Sequence, residues 1–391
     1  MLKKNIKEVL PPVETFANIK VVGIGGSGNS AVNRMISAKI RGVEFVAVNT
    51  DAQALHHSQA GNKIHIGRNT TRGLGAGMDP DLGLKSAEEN EQDIMSALSG
   101  ADMVFITCGL GGGTGTGGAP VIADIARELG ALTVAVVTKP FTFEGVQRRD
   151  IAERGLDRLI DKVDTIITIP NDRLLQIIDK KTSLLDAFSI VDEVLKQGVQ
   201  GISEVITVPG LVNVDFADVK AIMRQAGSAL MGIGKASGED RAKEAAKAAI
   251  DSPLLELSIN GATGVLFTIT GSSNLTMFEV SEAAEVITAH CDPEAKIIFG
   301  AVIDESLGDE VKVTVIATGF KKNVETKGEI PRQAMNTAYP EAFTKTVEDR
   351  TVRRAFEKKS EPEEELELVP KTKEEEELDI PAFLRKKIKD R

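Results

Sequence analysis

A segment of glycine and threonine, residues 111–117, lies between an apolar run (MVFITCG) and a helix-like run (APVIADIA). Glycine lets backbone N–H groups converge on an oxyanion, because no Cβ stands in the way. Threonine hydroxyls add donors, and the positive end of the following helix adds partial charge. These residue types predict a site for phosphate groups. Its candidate residues are Gly111, Gly112, Gly113, Thr114, Gly115, Thr116 and Gly117.

A second glycine-rich turn, Gly23 to Gly28, follows the first apolar run and matches GxGxxG at a strand-to-helix junction. Asp51 comes after the next strand-like run, as in a dinucleotide-binding fingerprint. In a chain with 36 glycines such a match is easily met by chance. Neither turn contains the Gly-Lys-Ser/Thr of a Walker loop, which argues against a P-loop enzyme. The residues alone leave open a nucleotide-binding domain with two phosphate loops and a nicotinamide-dependent oxidoreductase, although the oxidoreductase does not explain the second loop.

The elements around these turns alternate between buried strands and amphipathic helices. Strands that are apolar on both faces, with helices between them, predict a doubly wound α/β domain with a parallel sheet over residues 19–182. Apolar residues at helical spacing predict a long central helix over 183–208. Mixed helical and strand patterns predict a second, smaller α+β domain over 209–320.

The two ends of the chain differ from this pattern. Residues 1–18 form an N-terminal extension without a signal-peptide pattern. Residues 321–378 are rich in charge and poor in large apolar side chains, which predicts a disordered acidic linker. Residues 379–391 combine apolar residues with a basic cluster and predict a partner-binding peptide.

Bulk properties exclude some functions. The 391 residues carry a formal net charge of -11, which argues against a nucleic-acid-binding protein. The two cysteines, Cys108 and Cys291, have no metal-ligand spacing and are typical of inert thiols in a reducing cytoplasm. No run is apolar and long enough to cross a membrane, so we expect a soluble cytoplasmic protein without direct membrane insertion.

Seven motifs occur in a fixed order: GIGGSGN, NTDAQAL, TRGLGAG, GGGTGTG, KPFTFEG, NDRL and NVDFADVK. With them residues 19–320 resemble the FtsZ family, the prokaryotic tubulin-like cell-division GTPases, and DIPAFLRKK is similar to the C-terminal peptide of that family. The resemblance implies a GTPase that binds GTP or GDP, with Mg²⁺ held mainly through phosphates and water. It also implies a homopolymer at the mid-cell division ring, with membrane-anchoring adaptors and assembly regulators bound to 379–391.

The resemblance assigns nucleotide contacts to many residues. The loop from Thr71 to Gly77 would lie near the γ-phosphate, be mobile without the nucleotide and sense hydrolysis. Phe188 lies one helical turn before Asp192, so its ring could stack on the base that the carboxylate reads, although a core position for Phe188 stays open. The implied contacts are Gly25, Gly26, Ser27, Gly28, Asn29, Ser30, Thr71, Gly75 and Gly77, the residues of the 111–117 segment, Glu144 and Arg148 at ribose and phosphate, and Asn171, Phe188 and Asp192 at the base.

Two acidic residues, Asp215 and Asp218, stand three apart before a helix, and one interpretation is a pair of helix caps. In the FtsZ family the matching loop belongs to the neighbouring subunit, so by resemblance both residues orient the attacking water. No residue is assigned as a direct protein ligand of a metal. A third alternative, a scaffold that binds GTP without hydrolysing it, is disfavoured because both aspartates are present.

Overall fold

The computed structural model describes residues 17–174, 182–207, 212, 214–252 and 258–320. The strands are β1 (Ile19–Ile24), β2 (Val43–Asn49), β3 (Asn62–His65), β4 (Met103–Gly109), β5 (Leu132–Lys139), β6 (Thr165–Pro170), β7 (Gly227–Ser237), β8 (Gly264–Gly271), β9 (Lys296–Ile303) and β10 (Glu310–Thr318). The helices are α1 (Gly25–Ser37), α2 (Ala52–His56), α3 (Pro80–Glu89), α4 (Glu91–Leu98), α5 (Thr114–Glu128), α6 (Val146–Ile160), α7 (Asn171–Leu174), α8 (Leu184–Thr207), α9 (Phe216–Met223), α10 (Arg241–Ile250) and α11 (Met277–Thr288).

The strands form one ten-stranded sheet in the order β3-β2-β1-β4-β5-β6-β7-β10-β8-β9. Strands β1 to β6 all run parallel, so their carboxyl ends meet at one edge, which we call the carboxyl edge. Later strands lie on both sides of β1, which is the doubly wound arrangement. The α/β fold predicted from the apolar runs is therefore confirmed.

Alternate residues of each strand face two different cores. On one side Val21 packs with Met35 of α1 and Leu195 of α8. On the other side Val22 packs with Ile122 of α5 and residues of α4 and α6. Both faces of the parallel sheet are thus covered, which is why its strands are apolar without alternation.

The long helix α8 packs against both parts of the described chain. A Cβ added at Gly198 would lie 3.1 Å from Val136 in β5 and 3.5 Å from Met231 in β7. A Cβ at Gly201 would lie 3.0 Å from Thr314 in β10. The glycines let the helix approach both groups of strands closely, as expected for a helix that connects them.

The last four strands extend the parallel sheet. β7 pairs with β6 in parallel over three residue pairs, from Thr165↔Gly227 to Ile167↔Ala229. β10 pairs antiparallel with β7 and β8, and β9 is parallel to β8. Arg241 of α10 is buried and donates to Glu279 of α11 at 2.6 Å, which ties the two helices that cover these strands. The mixture of helices and strands predicted for this part of the chain is therefore confirmed.

Some features differ from the sequence prediction. Helix α5 begins at Thr114, although the pattern placed its start after Gly117, and α1 already begins at Gly25. The elements β3, α3 and α4, between residues 62 and 98, were not predicted. The predicted extension 1–18 is described only at its last two residues, and the segments 321–378 and 379–391 lie outside the described residues. None of the described helices combines the length and apolar character that spanning a bilayer requires.

Candidate functional site

A cavity of about 380 Å³ opens at the carboxyl edge of the sheet. Three groups of residues line it: the start of α1, the segment that leads into α5, and the first turns of α8. The turn before α6 and the end of β6 close it. The lining residues are Ile24, Gly25, Gly26, Ser27, Ser30, Gly109, Leu110, Gly112, Gly113, Thr114, Gly115, Thr138, Pro140, Glu144, Arg148, Asn171, Phe188, Val191 and Asp192.

Two helices begin at this cavity without a side-chain cap. Neither Ile24 before α1 nor Gly113 before α5 offers a side-chain acceptor, and the first turn of each helix lacks an acidic residue. The neighbouring helices α2 and α3 are instead capped by Asp51 and Asp79. Uncapped N–H groups and the positive ends of two helix dipoles therefore face the same space, an arrangement that suits phosphate oxygens.

The two glycine segments lie against each other at this point. A Cβ built on Gly25, whose φ is +72°, would lie 3.2 Å from the backbone nitrogen of Gly115. The hydroxyls of Thr50 and Thr114 are 2.6 Å apart and fix the first turn of α5. The two glycine segments therefore meet at one side of the cavity.

Several residues assigned to the phosphates lie behind the cavity wall. A Cβ at Gly28 would stand 2.3 Å from the carbonyl oxygen of Thr107, and one at Gly117 only 1.9 Å from that of Pro80. The Thr116 hydroxyl accepts from the Gly111 N–H at 3.0 Å. These residues shape the loops and their packing, and the structure does not place them at the cavity surface. Asn29 is also outside the lining, buried, with both amide atoms lacking a described hydrogen-bond partner.

The segment from Thr71 to Gly77 does not line the cavity but lies beside Gly112 to Gly115, which we call the phosphate wall after the predicted role of these residues. The Thr71 hydroxyl is buried and donates to the carbonyl of Gly67 at 3.0 Å. Gly75 and Gly77 have φ values of +83° and +52°, a left-handed region that favours glycine. A Cβ on Gly113 would lie 2.8 Å from that of Ala76, so this loop touches the wall directly. The expected mobility of the loop stays a prediction.

The turn before α6 carries an ion pair at the cavity. The Glu144 carboxylate accepts from the Phe141 N–H at 2.9 Å and from Arg148, its i+4 partner. The Glu144 side chain is largely buried, whereas the Arg148 side chain is 40% exposed and lines the cavity. Neither residue is an isolated solvated charge.

The far end of the cavity holds the three residues that the resemblance assigns to the base. Phe188 is 42% exposed and lines the cavity, so it is not a core residue, and its ring packs edge-on against Phe141 with centroids 5.7 Å apart. Asn171 is buried, and its Oδ1 lacks a hydrogen-bond partner within the described part of the chain. Burial raises the pKa of Asp192 to about 6, an effect that the charge of Arg34, 4.0 Å away, partly offsets.

Asp215 and Asp218 lie away from the cavity. Asp215 caps α9 by accepting from the Ala217 N–H at 3.3 Å, and both carboxylates are exposed. The last residue of α9, Met223, accepts from Thr165 at the amino end of β6. Thr207, the last residue of α8, also lies at this edge, because a Cβ at Gly42 before β2 would be 2.6 Å from its Cβ. The acidic pair lies in the chain between these two contacts, which indicates the edge of the sheet opposite the cavity, and the Asp215 cap is present in the geometry.

Sequence reasoning missed six lining residues: Ile24, Gly109, Leu110, Thr138, Pro140 and Val191. Gly109 and Thr138 are at or next to the last residues of β4 and β5. The rule that ligands bind beyond the carboxyl ends of parallel strands could have found them.

Comparisons with known proteins agree with this geometry. The Tubulin/FtsZ family GTPase-domain model matches residues 18–179, and the FtsZ family C-terminal-domain model matches residues 227–321. An FtsZ dimer of M. jannaschii is 50% identical, with a TM-score of 0.75, covering 78% of this chain and 89% of that one. A CetZ2 protofilament of Haloferax volcanii with GTPγS and a GDP-bound CetZ1 monomer are 22% and 20% identical. Their TM-scores are 0.66 and 0.68. The alignments include 78% of this chain, 94% of CetZ2 and 95% of CetZ1, and at such low identity they show a likeness of fold alone.

The structure does not support the alternative of a nicotinamide-dependent oxidoreductase, because Asp51 has another role. Both domain matches are to the tubulin and FtsZ families. Asp51, which that alternative needs for a ribose, accepts from the N–H groups of Gln53 and Ala54 as a helix cap. It is also absent from the cavity lining.

Proposed function

Because the chain belongs to the tubulin/FtsZ family and is a GTPase, we propose that it polymerises head-to-tail, hydrolyses GTP at the contact between subunits and forms the cell-division ring. We place this activity in the cytoplasm at mid-cell. The observation that carries the proposal is the separation of two sets of groups. Phosphate-binding features lie at the carboxyl edge, and Asp215 and Asp218 are exposed at the opposite edge.

In one subunit the reaction centre is then incomplete. A contact between the carboxyl edge of one copy and the α9 edge of the next would place the acidic pair above the γ-phosphate. Such a contact joins two different surfaces, so it repeats into an open filament if the rotation does not close. Self-association fits the family, which includes a dimer and a protofilament.

Each group then has a chemical role. The N–H groups that start α1 and α5 would hold the phosphates, and Arg148 would add positive charge. Asp218, with Asp215, would orient the attacking water from the neighbouring subunit. Mg²⁺ would be held mainly by phosphates and water, since the described residues contain no cluster of three acidic, His or Cys side chains. Asn171 and Asp192 would accept from the two adjacent donors of guanine, N1–H and the amino group.

Exposed apolar side chains lie in the segments that lead into or flank the cavity lining, and they support a contact there. Leu74 is 86% exposed, Leu185 78%, and Phe143 and Val146 each 62%. Leu74 belongs to the loop beside Gly113, and Phe143 stacks on Phe141 next to the base site. We call these four side chains the apolar rim. Apolar groups exposed together mark an interaction surface, here that of the next subunit.

The test of the shared site is the substitution Asp218→Ala. Nucleotide affinity of the isolated subunit should stay within about twofold, whereas phosphate release should fall at least about a hundredfold, because the positioned water is lost. Asp240→Ala, an exposed aspartate before α10, is the matched control and should behave as the parent. GTP turnover per subunit should also rise with protein concentration. Turnover that is independent of concentration would overturn the shared-site mechanism.

The partner-binding role of residues 379–391 concerns residues outside the described part of the chain. We propose that this peptide binds a membrane-anchoring adaptor and assembly regulators, with the acidic linker setting its reach. Deleting Asp379 to Arg391 should leave GTP-dependent light scattering intact in vitro. Loss of polymer would instead show that the peptide is needed for assembly.

A further inference from the structure

A buried imidazole nitrogen faces the loop from Thr71 to Gly77. His65 is the last residue of β3, and its Nε2 is shielded from solvent without a hydrogen-bond partner in the described part of the chain. A Cβ built on Gly73 would lie 3.8 Å from this nitrogen and 3.7 Å from Cε1. The loop backbone at Gly73 therefore lies against the ring edge that carries the unpaired nitrogen.

Gly73 offers a matching backbone group. Its φ is +80°, and its carbonyl accepts from the Ala52 N–H at 3.2 Å. Its own N–H makes no hydrogen bond among the described residues. A neutral imidazole with its proton on Nδ1 leaves Nε2 as an acceptor. Among the described residues, an acceptor without a donor and a donor without an acceptor therefore lie on neighbouring segments.

The same loop touches the cavity wall at its other end. A Cβ on Gly113 would stand 2.8 Å from the Cβ of Ala76 and 2.9 Å from the backbone nitrogen of Asp79. The start of the loop is fixed, because Thr71 bonds Gly67 through both its N–H and its hydroxyl. The segment from Gly73 to Gly77 connects the surroundings of His65 to the cavity wall, and its first two residues are bonded to Ala52 and Thr71.

We propose that His65 is a positioning residue that makes this loop respond to the γ-phosphate. The loop has a second position in which Nε2 accepts from the Gly73 N–H, and a γ-phosphate in the cavity favours that position. In the loop position of this structure the unpaired Nε2 costs free energy. In the second position the hydrogen bond from the Gly73 N–H removes that cost. His65 therefore increases the preference for triphosphate over diphosphate by shifting the loop equilibrium. This inference rests on the proposed function of the cavity as a GTP site.

Three substitutions of His65 test whether a polar atom is needed and whether it must stand at the position of Nε2. His65→Gln places an amide about where Nε2 stands, His65→Asn places one nearer Nδ1, and His65→Leu removes the polar group. The affinities for a non-hydrolysable GTP analogue and for GDP are measured below the assembly concentration, with thermal unfolding of each variant. We expect the analogue-over-GDP preference to fall about five- to tenfold in the Leu and Asn variants. His65→Gln should restore it, and GDP affinity should not change.

Each other outcome overturns the inference. An unchanged preference in the Leu and Asn variants would show that Nε2 does not act on the loop. Loss of GDP affinity or of folding in all three variants, Gln included, would show a structural role only. A wild-type protein that fails to bind GTP analogue or GDP would overturn the proposed function and this inference with it, and would be seen before any variant is made.

Discussion

Among single residues, Asp192 combines a position at the end of the cavity with a pKa far from its usual value. Its carboxylate lies at the end of the cavity beside Phe188 and 4.0 Å from Arg34. Burial disfavours the charged form and raises its pKa from 3.8 to about 6. In the free protein this charge is therefore destabilising above pH 6, and protonation relieves the penalty as the pH falls from about 6 towards 3.8.

The affinity for nucleotide should weaken as the pH falls, whereas the contribution of Asp192 to the stability of the free protein should rise. Guanine donors need the ionised carboxylate, so affinity for GDP should be constant above pH 7 and fall by up to about tenfold per unit below pH 6. Isothermal titration between pH 5 and 8 measures this. Asp192→Asn, which keeps a carbonyl acceptor without the ionisation, is the matched control. It shares the titration of the terminal phosphate of GDP, whose second pKa is about 6, and should lack only the part of the fall that is due to Asp192. A parent profile no steeper than that of the Asn variant would contradict the assignment.

The candidate site could be predicted from residue type at the glycine and threonine segments, whereas Glu144, Arg148 and Asp192 were assigned by the resemblance to the FtsZ family. The glycine and threonine segments, Glu144, Arg148 and Asp192 all lie at or beside the cavity. The sequence could not separate glycines that face a ligand from those that permit packing. Gly115 lines the cavity and Gly117, two residues on, touches α3. That distinction depends on which neighbour lies opposite, which is a tertiary property.

At the scale of elements, the contact between α3 and α5 holds the phosphate wall. A Cβ at Gly117 would lie 1.9 Å from the Pro80 carbonyl, whereas one at the adjacent Gly118 would meet its nearest atom at 3.6 Å. α3 begins directly after the loop that touches Gly113. The close approach of these helices is therefore linked to the shape of the cavity.

Gly117→Ala should separate the two helices. We expect a loss of about 1–3 kcal/mol in unfolding free energy from overpacking, with weaker GDP binding. Gly118→Ala is the matched control in the same helix and should be neutral or stabilising by up to about 1 kcal/mol, because alanine favours helix. Urea denaturation measures both. Equal effects of the two substitutions would exclude the proposed packing role.

A strand or helix could be predicted from the sequence where its apolar pattern is clear and its length is sufficient. The runs that form β1, β4, β5 and β6 are apolar throughout, and parallel strands with intervening helices leave few topologies. The start of α5 was not predictable, because glycine has poor helix propensity and Thr114 to Gly118 enter the helix only through the contacts of α3 and β4. The short β3 carries only four residues and too little pattern to be recognised.

For the whole molecule, the apolar rim should determine assembly. Leu74 and Leu185 are exposed in the single subunit, so their replacement by serine should leave its thermal stability almost unchanged. Burying each side chain in a contact contributes about 1.5–3 kcal/mol. Each substitution should therefore raise the critical concentration for GTP-dependent assembly at least about tenfold, measured by sedimentation.

A control of equal exposure tests whether the position matters. Met277, 77% exposed, begins α11 in the second part of the molecule. Met277→Ser should assemble as the parent does. If all three serine variants assemble equally well, the apolar rim takes no part in the filament contact.

The short pairing of β6 with β7 has a mechanical consequence. In a filament under tension, load enters a subunit at the carboxyl edge and leaves through α9, so it crosses from the first six strands to the last four. Three backbone pairs join them in the sheet, whereas β7 and β10 share eight. Because the sheet joins the two groups of strands by so few pairs, resistance to pulling there would depend on α8 and on the core that it shares with both groups.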